Sequence, residues 1–89
     1  PSGKGYYHVN VSLLDDKTKD QITDAQVELT IKDPFMGDKT KELERMTINK
    51  TISYGNYVQM IGWDTYSIKV RIQRPDISRA INTKFNFKP

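Results

Sequence analysis

Cysteine is absent from the 89 residues, and histidine occurs only once. The first absence excludes a disulfide framework and any thiolate metal site, so a metal would need His, Met or carboxylate ligands; it does not fix the compartment. No window approaches the run of about 20 apolar residues that a membrane-spanning helix requires, and mean hydropathy is −0.69. Charge of one sign is nowhere gathered: the 14 basic and 11 acidic side chains are interspersed and leave a net charge of +3. Such a pattern reads as a solvated surface rather than a nucleic-acid interface. A chain of this length holds one core and buries roughly 60–65% of the surface its unfolded form exposes. No signal peptide is visible. The opening Pro1-Ser-Gly-Lys-Gly5 reads as a disordered segment at the start of a mature or trimmed chain whose targeting segment has been removed, leaving residues 6–89 as a single domain.

What the chain does have is alternation. In Tyr6–Leu14 the apolar residues Tyr7, Val9, Val11 and Leu13 take one side, and His8, Asn10 and Ser12 the other, which predicts a half-buried strand. Gln26–Lys32 repeats the pattern with Val27, Leu29 and Ile31 inward. Asp33-Pro-Phe-Met-Gly-Asp38 is a break, because Pro34 lacks a ladder donor and Gly37 allows a turn. Phe35 and Met36 then either cap the core or form an exposed apolar tip, and the cap is preferred. Lys39–Ile48 fits a helical turn or a strand; the β-branched residues that follow favour extended structure. Tyr54-Gly55-Asn56 reads as a turn, Tyr57–Ile61 as a short strand and Gly62–Thr65 as a second turn. Tyr66–Ile72 follows with Tyr66 placed as a tyrosine corner, and Ala80–Phe87 closes the chain with Ile81, Thr83, Phe85 and Phe87 on one face. About seven strands at this spacing, with no convincing helix, predict an all-β fold: an immunoglobulin- or cupredoxin-like antiparallel β-sandwich.

Chemistry has few places to reside. No Gly-rich phosphate loop, nucleophile elbow or paired-His spacing is present, so an enzyme is not expected. Asp15 and Asp16 are adjacent carboxylates in a Lys-rich loop, with nothing nearby in sequence to raise a pKa. His8, Met36, Met46 and Met60 carry the ligand types that suit copper, although Met60 reads first as core filler.

The stretch around Ser53-Tyr-Gly-Asn56, with Met46, Met60-Ile-Gly62, Tyr66-Ser-Ile-Lys-Val, Arg74-Pro75, Lys84-Phe-Asn-Phe87 and Tyr7-His-Val, resembles the periplasmic iron-transport family. These are small copper-binding sandwich proteins associated with iron permeases in bacteria. More distantly, Ile22-Thr-Asp-Ala-Gln-Val27 resembles YtkA-like periplasmic domains. The resemblance implies a periplasmic location, copper or iron as the cofactor, an iron permease or other envelope protein as partner, and pairing as a homodimer. It implies metal ligation by His8 and Met46; Met36 or Met60 are candidates for further thioethers by residue type alone. This chain departs from the pattern at Ser53, where the family has His, in the His-free loop Gln73–Arg79, and at Asn10, where the family has an acidic residue. Two readings follow: a metal-binding accessory domain for iron uptake with a reduced ligand set, or an immunoglobulin-like structural or interaction domain of a larger envelope protein without a metal site.

Overall fold

The computed structural model describes residues 5–61 and 65–89. Among them are six strands: β1 (Tyr6–Val11), β2 (Gln26–Asp33), β3 (Gly37–Ile48), β4 (Thr51–Gln59), β5 (Tyr66–Gln73) and β6 (Ile81–Phe87). Every neighbouring pair is antiparallel, and the spatial order is β1-β4-β3-β2-β5-β6. The protein is therefore all-β, and the sheet curls into a half-barrel.

The curl is made at β3. Its residues 37–43 pair with β2, whereas 44–48 pair with β4. Beyond Gly55, β4 turns to β1 instead, so the strands splay and leave a seam that side chains bridge. Asn56 Nδ2 donates to the Glu42 carbonyl at 3.0 Å, and the Lys41 ammonium donates to the Tyr57 carbonyl. At the two free edges, the rings of Tyr7 on β1 and Phe87 on β6 meet edge-on with centroids 5.0 Å apart.

Inside the curl, the alternating side chains predicted to face inward on β2 and β5 are buried: Leu29 is 0% exposed and Ile68 1%. Tyr54 is buried with them, and its hydroxyl serves the connection between β1 and β2. It donates to the Ile22 carbonyl at 2.8 Å and accepts from the Ala25 amide at 3.2 Å. A buried phenol needs such partners, and here they tie down a stretch that has little ladder of its own. The Tyr66 hydroxyl donates upstream to the Ile61 carbonyl, the back-bond looked for at a tyrosine corner.

Two expectations are corrected. Tyr54-Gly55-Asn56 is not a turn: it lies in the middle of β4, where Gly55 is flanked by Asn10 and Glu44. The chain reverses earlier, at Asn49 and Lys50, both with positive φ (51° and 67°), as a two-residue hairpin turn of matching twist requires. The described residues hold six strands where about seven were expected. Phe35 and Met36 do not cap the core; they are 75% and 74% exposed at the tip of the β2–β3 hairpin. Asp33 Oδ1 accepts from both their amides, at 2.8 and 3.1 Å, and folds the tip back on itself before it can reach the core. On β6, the face that carries Ile81, Thr83, Phe85 and Phe87 is largely open, with Ile81 53% and Phe85 43% exposed. The expected turn at Gly62–Thr65 falls largely outside the described residues.

Candidate functional site

Of the residues singled out for metal chemistry, His8 and Met46 lie on the outer face of β1 and β3, and ladder register through β4 fixes their order. His8 is opposite Tyr57; Asn10 and Glu44 flank Gly55; Met46 is opposite Ser53. Opposed residues in an antiparallel ladder share a face, so all of these side chains stand on one surface. His8 and Met46 are therefore on the same side of the sheet, but not together. Four residues along β4 and one strand to either side put about 16 Å between their Cα atoms. A shared ion between fully extended His and Met side chains spans about 13 Å.

Gly55 determines where the imidazole goes. A Cβ built there would lie 3.0 Å from His8 Cε1, 3.2 Å from His8 Nε2 and 3.0 Å from the Val9 carbonyl oxygen. The missing side chain is thus the space over which the ring lies, and the ring meets Tyr57 edge-on with centroids 4.9 Å apart. Gly55 and the buried Ser53 form a strip of β4 on this face. His8 and Asn10 stand on one side of it, Glu44 and Met46 on the other. Glu44 was not among the sequence candidates. The signal for it was the Gly55 register, which spacing alone does not reveal.

The remaining methionines are elsewhere. Met60 is 2% exposed inside the core, as its reading as core filler requires, and Met36 is at the hairpin tip. Among the described residues no three His, Cys, Asp or Glu side chains gather in a metal-holding group. Tyr66, Gly55 and Asn56 serve the framework: a back-bonded tyrosine, a ring cradle and a seam bridge.

A second polar cluster joins the two loops at the opposite end of the half-barrel from the Phe35 tip. Arg74 Nη1 donates to Asp15 Oδ2 at 2.9 Å, while Asp15 Oδ1 accepts from the amides of Lys17 and Thr18 at 2.9 and 3.0 Å. The Arg74 hydrogen bond first, and then these two amides, hold the Asp15 carboxyl far below the usual carboxylate range. The same bond raises the pKa of Arg74. Asp15 is therefore an anionic loop staple rather than a proton donor.

Comparison with protein-family models, curated proteins and solved structures finds no match for this chain, so the family resemblance rests on the quoted residues alone.

Proposed function

We propose that this chain is a non-enzymatic binding module, an immunoglobulin-like β-sandwich domain that works within a larger envelope protein by docking rather than by holding a metal. The separation of His8 from Met46 across the outer face carries this reading. The other candidate ligands are divided between the core and the hairpin tip. The large apolar side chains left exposed include Phe35 and Met36 at the tip and Ile81 and Phe85 along one edge. Large exposed apolar groups gathered in patches mark interaction surfaces more often than scattered ones do.

A second reading is favoured by one observation. The His8 ring lies over Gly55, and Glu44 faces Gly55 from the other neighbouring strand. His8 and Glu44 would then offer an imidazole and a carboxylate to copper or iron, with Met46 out of reach of the same ion. In that reading the chain is a periplasmic accessory to an iron permease, with a second copy supplying what is missing.

Titration with Cu(I) and Cu(II), following the His8 imidazole and the Met46 methyl by NMR, separates the two. The docking reading predicts no saturating response of either group at micromolar metal. A saturating His8 response at micromolar metal and fixed stoichiometry would overturn it.

A further inference from the structure

Among the described residues β6 is paired on one side only, with β5. Its other side offers the free N–H and C=O groups of an edge strand, a template for one more strand. Natural edges are usually blunted by proline, a bulge or brevity, but β6 runs seven regular residues with no proline among them.

The two faces of this edge differ in character. On the inner face, Ile81 and Phe85 are about half exposed, with Thr83 between them. On the outer face, Lys84 lies directly opposite Lys69, flanked by the pairs Asn82–Arg71 and Asn86–Ser67. No carboxylate is among these six side chains. Like charges directly opposed across a ladder destabilise it, and the closest acidic register position, Glu28, faces Arg71 rather than the lysines. The edge therefore combines an uncovered apolar face with a basic face that lacks counter-charge.

Resting on the docking reading above, we infer that β6 is the acceptor for an extended segment of a partner protein in which acidic and apolar residues alternate. Backbone hydrogen bonds to β6 supply the register-independent part of the affinity. Apolar side chains of the added strand cover Ile81 and Phe85, and a carboxylate opposite Lys84 neutralises the Lys69–Lys84 pair. A second copy of the chain suits the site less well. Two-fold pairing centred on Lys84 would set four lysines in one row, so this residue guards against self-association while selecting an acidic partner.

The test uses a blocked nine-residue peptide alternating Val and Glu, a Val/Lys counterpart, and ¹⁵N-resolved NMR of the whole chain. The Val/Glu peptide should shift β6 amides saturably, slow exchange at those pointing away from β5, and weaken as salt rises through the screening range. Lys84→Glu lies on an exposed strand face and should leave the spectrum dispersed. It should weaken the acidic peptide about tenfold or more and gain binding to the basic one, as a swapped charge pair does. No saturable shift at millimolar peptide, equal binding of both peptides, shifts confined to β1, or concentration-dependent pairing of the chain through β6 would each overturn the inference. Those failures would leave the copper titration unaffected, so the broader docking reading stands or falls separately.

Discussion

Strands β5 and β6 are neighbours with the same alternation, and their inner-face residues sit opposite one another: Tyr66 with Phe87, Ile68 with Phe85, Ile72 with Ile81. On β5 those side chains are sealed, at 1%, 1% and 9% exposure; on β6, Phe85 and Ile81 are 43% and 53% exposed. Both sets point to the same side of the same sheet. What differs is what lies above them. The β5 side chains belong to one buried cluster with Tyr54, Val58 and Met60 of the other limb, whereas on β6 Phe87 packs against that cluster, its ring edge-on to Tyr7, and Ile81 and Phe85 stay open. Alternation determines which way a side chain points, but burial depends on whether another layer reaches it.

The contrast is most easily broken by truncation. Ile68→Ala should cost about 3 kcal/mol in urea unfolding, through lost burial and the cavity left behind, while Phe85→Ala should cost less than about 1.5 kcal/mol despite removing more atoms. Equal losses would mean that β6 is covered in solution. Tyr54→Phe comes next, at about 1–3 kcal/mol, because the buried Ile22 carbonyl loses its donor. Loosening should centre on the Ile22 and Ala25 amides, and an unchanged midpoint would show that the hydroxyl staple is dispensable.

Gly55→Ala should be milder, about 1 kcal/mol, because the new methyl meets the His8 ring and the Val9 carbonyl at 3.0 Å. Adding His8→Ala should recover only part of the loss, since the carbonyl contact stays. Full recovery would make the ring the whole obstacle.

The pH response of the Asp15–Arg74 staple should be the smallest effect. Asp15 has a folded pKa below its unfolded value, so its contribution is complete above the unfolded pKa and is lost as pH falls through the acid range toward the folded one. Arg74→Gln should flatten the acid limb of a stability profile below about pH 4. An identical limb in both proteins would remove the staple from the account.

Much of the framework was legible because β1, β2 and β5 each carry unbroken period-two patterning, and the strand at Lys39–Ile48 was recovered from its β-branched surroundings. Where the reading failed, the cause was local similarity between different backbone needs. Glycine in Tyr54-Gly55-Asn56 suggested a turn, but here it admits the His8 ring inside a strand. The true reversal at Asn49-Lys50 lacks glycine altogether. The candidate site was legible only as a set of residue types. His8 and Met46 share a face, but their separation depends on ladder register, and so does the arrival of Glu44 between them. Asp15 and Arg74 are 59 positions apart, and no local pattern links them.

The open β6 edge underlies both the contrast with β5 and the proposed docking, and residue-resolved amide hydrogen exchange of the isolated chain tests it most directly. The account predicts slow exchange along β5 and, on β6, slow exchange only at alternate amides facing β5, with the intervening ones close to unprotected. Uniform slow exchange along β6 would show that its free side is already occupied and would contradict the account.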